Sequence, residues 1–240
     1  MNMLKRFTPQ VVLLCIICLI AAFGYIKYEF VDVDSDVNII PTVIIDAGHG
    51  GFDGGAVAGD GTVEKDINLN ISLTLAKFLK QNGFRVIMTR ESDVSTEDTE
   101  SPQIASKKRN DLRNRLKLMG DYPDSVFVSV HLNKFTTSAA FGSQVFYSKS
   151  EESAVLADKI QKSIVALIQP ENTRVNKQAT SSTYLLYNAT IPAVLVECGF
   201  LSNEAELALL KQTDYQKKMA FSIYCGILEY FKEKDDGGKF

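Results

Sequence analysis

Residues 43–51, VIIDAGHGG, decide the fold, because an apolar run that breaks into glycines predicts a buried strand followed by a tight turn. The arrangement returns at residues 126–133, VFVSVHLN. His49 and His131, which follow these two runs, are the only histidines among 240 residues. Histidines used so sparingly, and both placed at strand ends, indicate metal ligands or catalytic groups.

Strand-like and helix-like segments alternate from residue 41 onward. Strands are predicted at residues 42–46, 84–89, 126–130, 142–147, 182–188 and 193–197, and helices at 66–81, 104–119, 153–168, 204–210 and 215–232. This alternation predicts an α/β domain with a largely parallel sheet covered on both faces. Functional groups of such sheets gather at the carboxyl ends of the strands, where His49, Arg90, His131 and Glu197 fall.

The composition is that of a globular protein, with 45% hydrophobic and 23% charged residues. A net charge of −3 argues against a nucleic-acid partner, which would favour a basic domain. Of the four cysteines, Cys198 and Cys225 lie beyond the N-terminal region, and both are interpreted as unpaired core thiols.

The N-terminal segment is a separate appendage. Lys5 and Arg6 precede an uncharged apolar run at residues 11–26, which fits an uncleaved signal-anchor, a cleaved signal peptide or, least well, a buried core helix. We favour the anchor, with the basic flank in the cytoplasm and the rest of the chain exported. The predicted organisation is therefore a signal-anchor or signal peptide (1–27), an acidic linker (28–40), one α/β domain (41–232) and a polar tail (233–240).

The two histidines suit a metal site better than a nucleophilic triad, since no Gly-x-Ser-x-Gly elbow occurs. Catalytic zinc takes three protein ligands and leaves one position open. Glu64 follows a glycine-rich loop that lets the chain turn back toward His49, so it is a candidate third ligand. A solvated acid at a helix N-terminus explains Glu64 equally well on spacing alone.

Glu197 ends the apolar run IPAVLV at residues 191–196, where an unpartnered carboxylate would be costly to bury. A nearby metal ion would supply the partner. Glu197 is then a candidate general base and acid that moves a proton between water and a leaving amine. The alternative is a structural salt bridge to Arg90 or Arg115.

Five segments resemble, in order, the zinc-dependent N-acetylmuramoyl-L-alanine amidases. They are IDAGHGG at 45–51, EKD at 64–66, TR at 89–90, SVHLN at 129–133 and PAVLVECGFLSN at 192–203. The resemblance implies a mixed sheet of about six strands flanked by helices. It also implies hydrolysis of the amide between the lactyl group of N-acetylmuramic acid and the L-alanine of the stem peptide. His49, Glu64 and His131 are implied as ligands of one Zn²⁺ per chain, and Glu197 as the catalytic acid/base.

Further expectations concern the substrate and the partners. We expect Arg90, Asn133 and Arg115 to contact the substrate. The expected partners are peptidoglycan and an activating or recruiting protein, with a membrane reached only through the N-terminal segment. The competing functions are a zinc peptidase that cuts within the stem peptide and a non-catalytic wall-binding protein.

The short length, the single domain and the N-terminal apolar segment most resemble the germination-specific branch that spore formers carry. That branch removes stem peptides from spore cortex on the way to muramic-δ-lactam. The resemblance therefore implies an exported protein of the forespore or cortex.

Two segments carry separate predictions. Residues 134–141 are too few for the helix that plugs the zinc site in some relatives, so we predict an open site. The basic stretch over residues 107–117 predicts a solvated helix face that pairs with the acidic loop at 91–100. The alternative is contact with stem-peptide carboxylates or with an acidic partner.

Overall fold

The computed structural model describes residues 40–98, 100–235 and 237. The predicted N-terminal segment, nearly all of the linker and half of the polar tail lie outside these residues. None of the helices in the described part combines the length and apolar character that a membrane span requires.

A six-stranded mixed sheet organises the described residues, in the order β2-β1-β3-β6-β4-β5. The strands are β1 (Thr42–Ala47), β2 (Arg85–Met88), β3 (Ser125–Asn133), β4 (Gln144–Tyr147), β5 (Lys177–Gln178) and β6 (Ala193–Phe200). β2, β1, β3 and β6 are mutually parallel, β4 runs antiparallel to β6, and β5 runs parallel to β4. The predicted α/β class and the mixed sheet are confirmed.

Helices cover both faces of the sheet. They are α1 (Glu64–Gln81), α2 (Ile104–Asp121), α3 (Glu151–Ile168), α4 (Tyr184–Tyr187), α5 (Glu204–Leu210) and α6 (Thr213–Asp235). Alternate residues of β1 point to opposite faces, so Val43 and Ile45 join the core under α1, α3 and α6, whereas Ile44 packs under α2 and α4. Burial on both faces explains the nearly continuous apolar runs of the parallel strands.

The helices α3 and α6 pack closely enough to require a glycine. A Cβ atom at Gly226 would lie 2.5 Å from the Cα of Ile160. The backbones therefore approach one another where Gly226 carries no side chain.

The structure differs from the sequence prediction at the edge of the sheet. The predicted strand at residues 182–188 is wrong, because Tyr184–Tyr187 forms a single helical turn. Leu185 and Leu186 are consecutive and both buried. In a strand with one covered face, consecutive side chains point to opposite faces, so one of the two would be exposed. A helical turn that lies over the sheet can bury both. β5 was not predicted, since its two residues are polar and exposed.

Candidate active site

The carboxyl ends of three parallel strands bring the candidate residues together. β1 leads into His49, β3 carries His131, and β6 carries Glu197. His131 and Glu197 are register partners on neighbouring strands, so their side chains lie at the same level of the sheet. The residues that the sequence singled out at strand ends therefore meet at one edge of the sheet.

The turn that carries His49 has an unusual backbone. His49 adopts a φ of 62°, and it is the only described residue other than glycine with a positive φ. Gly50 and Gly51 follow at φ values of 132° and 54°. A non-glycine residue in the left-handed region costs conformational energy and persists only where neighbouring groups hold it in place.

Two buried arginines hold this turn. Arg90 donates from Nε to the carbonyl oxygen of Ala47 at 2.9 Å and from Nη2 to that of Gly48 at 3.0 Å. Arg115 donates to the carbonyl oxygens of Ala47 and His49 at 2.9 and 2.8 Å. The two residues are only 3% and 2% exposed. Their guanidinium groups are thus placed to fix the backbone that presents His49. The sequence predicted that both arginines contact the substrate, whereas in the structure both are buried and bind the turn.

His49, Glu64 and His131 form one cluster of metal-ligating groups. Nε2 of His49 lies 3.3 Å from Oε1 of Glu64, and Nδ1 of His131 lies 3.0 Å from the same oxygen. All three donor atoms fall within 4.8 Å of one another. Two ligands bound to zinc at about 2.0–2.1 Å in tetrahedral geometry lie roughly 3.3 Å apart, so this donor set fits the ion.

Further groups orient these three side chains. Nδ1 of His49 donates to Oδ2 of Asp53 at 2.9 Å, which leaves Nε2 to face the cluster. Oε1 of Glu64 accepts from the backbone N–H of Leu132 at 3.0 Å and from Nδ2 of Asn68 at 3.1 Å. Oε2 accepts from the backbone N–H of Ala56 at 2.8 Å. Glu64 is therefore a buried and oriented carboxylate, not a solvated acid at a helix end.

The charges of the cluster favour a cation. Burial raises the pKa of Glu64, but hydrogen bonds from His131 and His49 outweigh it and hold this pKa well below its usual range. Burial lowers the pKa of His49, yet its hydrogen bonds to Asp53 and Glu64 raise that pKa to about 9. In the metal-free protein the Glu64 carboxylate thus stays ionised and favours a proton on the His49 imidazole. A bound metal ion would take the place of that proton.

Glu197 lies beside this cluster, and one of its carboxylate oxygens has no hydrogen-bond partner in the described part of the chain. Its Oε2 atom is buried and accepts no hydrogen bond from any described residue. Burial, followed by the negative charge of Glu64, raises the pKa of Glu197 to about 7 against the opposing effect of His131. Arg90 and Arg115 bind other groups, so the alternative of a structural salt bridge is not realised. A carboxyl group with a pKa near neutrality is suited to accepting and returning a proton.

The segment after β3 forms no helix that could plug the cluster. Residues 134–141 contain only turns and irregular structure, as expected from their number. The loop is held by the region that follows β6, because Ser202 Oγ accepts the N–H of Phe135 at 3.1 Å and Asn203 Nδ2 donates to the carbonyl oxygen of Ser138 at 3.0 Å. Asn133 ends β3 next to this loop and is half-buried.

The basic stretch on α2 divides between two roles. Lys107 lies 3.8 Å from Glu97 of the acidic loop, as predicted, and Lys108 lies 2.9 Å from Oδ1 of Asp53. Arg109, Arg113 and Lys117 are exposed. The sequence did not predict a role for Asp53. Its position four residues after His49 is the one sequence signal for the hydrogen bond between these two side chains.

Two histidines and two glutamates gathered at the carboxyl edge of an α/β sheet are typical of metal-dependent hydrolases. The chain belongs to the Amidase_3 family of N-acetylmuramoyl-L-alanine amidases, whose sequence profile matches residues 43–229. It is accordingly an enzyme that hydrolyses the bond between the N-acetylmuramoyl group and L-alanine in peptidoglycan.

Relatives support this assignment along most of the chain. The germination-specific N-acetylmuramoyl-L-alanine amidase of Bacillus subtilis (strain 168) is 39% identical over 216 residues, covering 88% of this chain and 90% of the relative. The structure of the CwlD amidase from Clostridioides difficile in complex with the GerS lipoprotein matches with a TM-score of 0.78 and 42% identity, over 80% of this chain and 98% of that one. An N-acetylmuramoyl-L-alanine amidase from Clostridium difficile 630 matches with a TM-score of 0.69 and 31% identity, over 81% and 98%.

Proposed function

We propose that this amidase is a zinc enzyme in which His49, Glu64 and His131 hold one metal ion and Glu197 is the catalytic acid/base. One observation carries the proposal: three donor groups converge within 4.8 Å beside Glu197, whose buried Oε2 atom accepts no hydrogen bond from the residues that the structure describes. Two imidazoles and one carboxylate are a set that catalytic zinc uses, with one position left for water or substrate.

A zinc ion bound by these residues would polarise the scissile carbonyl and favour ionisation of the attacking water. Glu197 accepts the proton of that water and returns it to the nitrogen of L-alanine as the amide bond breaks. Asp53 keeps the His49 ring in the tautomer and orientation that direct Nε2 to the metal. Arg90 and Arg115 hold the strained turn, and Asn133 contacts the substrate at the edge of the cluster.

We further propose that the substrate is spore-cortex peptidoglycan and that removal of the stem peptide is a step toward muramic-δ-lactam. The likeness to a germination-specific amidase supports this setting. Residues 1–27 would export the enzyme and anchor it to the membrane. Because one similar structure contains a lipoprotein, we propose that a lipoprotein partner recruits or activates this enzyme. A loop without a plugging helix after β3 is consistent with control by such a partner, by location or by metal loading.

Digestion of purified cortex muropeptides, followed by mass spectrometry, tests the proposal. The zinc-loaded enzyme should release intact stem peptides and leave unsubstituted muramic acid, and a chelator should stop release until zinc is restored. Fragments cut within the stem peptide would instead support the peptidase alternative. Unchanged release in chelator would contradict the zinc assignment. Mutant spores that lack the enzyme should contain no muramic-δ-lactam, and normal amounts would contradict the cortex role.

A further inference from the structure

A polar side chain on β4 extends the active-site row beyond Glu197. Gln144 is the register partner of Glu197 in the antiparallel pair of β4 and β6. Directly opposite residues of such a pair point to the same face, with Cβ atoms about 4.5–5.5 Å apart. His131, Glu197 and Gln144 therefore lie side by side on three neighbouring strands.

Gln144 does not present its own amide to a ligand, because that amide is used within the protein. Its Nε2 donates to the carbonyl oxygen of Val175 at 2.8 Å, and its Oε1 accepts from Nη1 of Arg174 at 3.2 Å. Gln144 is only 6% exposed. Gln144 instead positions the guanidinium of Arg174. That group follows Glu197 and Gln144 along the same row of side chains.

The Arg174 guanidinium is held in place by two further contacts. Nε donates to the carbonyl oxygen of Phe141 at 2.7 Å, and Cζ lies 4.6 Å from the centre of the Phe200 ring. A planar guanidinium fixed at three points loses little further freedom when it binds an anion.

The charge of Arg174 is not matched by a carboxylate in direct contact. Both of its hydrogen-bond acceptors are neutral, and no described carboxylate lies within ion-pair distance. Glu206, whose carboxylate feels the charge of Arg174, accepts the backbone N–H groups of Gly142 and Phe200 instead. Arg174 is half-buried, and a guanidinium has five N–H donors, so donors remain for a ligand.

We propose that Arg174 binds the free α-carboxylate of the second stem-peptide residue, a D-glutamate joined to the next residue through its γ-carboxyl group. The proposal rests on the proposed function, because it places the stem peptide across Glu197. Two residues extend at most about 7 Å, so this carboxylate reaches roughly one side chain beyond the scissile nitrogen. The enzyme would then discriminate between stem peptides with D-glutamate and those in which this carboxyl is amidated.

Binding measurements on a non-hydrolysing full-length protein test this inference separately from catalysis. The Glu197→Gln variant, loaded with zinc, is titrated in a calorimeter with the γ-methylamide of N-acetylmuramoyl-L-alanyl-D-glutamate, which leaves only the α-carboxylate free on glutamate, and with the α-amide of the same compound. With Arg174 intact, the acid should bind on the order of tenfold more tightly than the amide, as expected for one charge-assisted pair near the surface. Arg174→Gln should remove that preference by weakening only the acid, and Arg174→Lys should keep part of it.

The matched control is Arg113→Gln, which removes an exposed arginine from α2 and should leave the preference intact. Equal affinities for acid and amide with Arg174 present, or a preference that survives in Arg174→Gln, would overturn the inference. A parallel loss for both ligands in Arg174→Gln would also overturn it, since a merely structural role does not distinguish them. Failure to hydrolyse either ligand by the protein with Glu197 intact would instead count against the proposed function.

Discussion

Asp53 accepts a hydrogen bond from Nδ1 of His49 at 2.9 Å and lies 2.9 Å from Nζ of Lys108. This carboxylate thus connects a lysine on α2 with the imidazole that we assign to the metal. The contact fixes which ring nitrogen faces Glu64 and places negative charge behind the ring. A metal site built in this way depends on groups that never touch the ion.

Replacing Asp53 should therefore weaken metal binding. Asp53→Ala is expected to lower zinc affinity about 10- to 100-fold, the usual effect of losing such a supporting carboxylate. Competition with a chromophoric chelator measures it. Lys108→Gln serves as the control on the outer side of Asp53 and should change the affinity far less, because Lys108 is exposed. Unchanged affinity in Asp53→Ala would contradict the supporting role.

Arg115 should contribute strongly to folding stability. Its Nη1 lies 2.6 Å from Oδ1 of Asp46 and its Nε lies 2.9 Å from Oδ2 of Asp111, with both contacts buried. Arg115→Ala leaves Asp46 without its cationic partner and should lower the free energy of unfolding by about 3–5 kcal/mol. Urea unfolding measures the loss. Arg113→Ala, on the exposed face of the same helix, should stay within about 0.5 kcal/mol of the parent.

The same ion pair predicts a dependence on pH. Burial alone would raise the pKa of Asp46, but the charge of Arg115, the charge of His131 and hydrogen bonds lower it below the usual 3.8. A lowered folded-state pKa gives a stabilisation that is complete above pH 3.8 and is lost as the pH falls below that value. Unfolding of the metal-free protein should show this loss, and Asp46→Asn should flatten that part of the profile. An identical slope in the variant would contradict the assignment.

Gly226 and Gly120 form a matched pair for testing the packing of α6. A Cβ at Gly226 would meet the backbone of Ile160, whereas a Cβ at Gly120 in α2 meets nothing within 4 Å. Gly226→Ala should destabilise the protein by about 1–3 kcal/mol through overpacking. Gly120→Ala should stabilise it by a few tenths to about 1 kcal/mol, because alanine favours the helix. Thermal unfolding compares the two, and equal shifts would contradict the close approach of α3 and α6.

Part of this structure follows from local sequence patterns. Apolar runs that end at His49, His131 and Glu197 predict parallel strands with functional groups at one edge, and the described sheet has that form. Glu64 could be either a ligand or a solvated acid on spacing alone. The hydrogen bonds from Leu132 and Ala56 decide between the two, and they form only after the chain has folded.

Other features depend on tertiary contacts that no local pattern records. Arg90 and Arg115 were expected to contact the substrate, but both donate to backbone carbonyl oxygens of the turn that carries His49, which lies 42 to 68 residues away in the sequence. Residues 182–188 carry apolar residues that suit a strand, whereas their position over the sheet favours a helical turn. Arg174 has no distinguishing neighbours in the sequence, and only the pairing of β4 with β6 brings it near Glu197.

Metal binding and proton transfer are assigned to different side chains of this site, and one paired measurement tests that assignment. Zinc content and stem-peptide release are determined on the same preparations of the parent enzyme, His131→Ala and Glu197→Ala. We predict that His131→Ala loses both zinc and activity, whereas Glu197→Ala keeps zinc but loses activity by at least about 100-fold. Full zinc occupancy with retained turnover in Glu197→Ala, or normal zinc binding in His131→Ala, would contradict the claim.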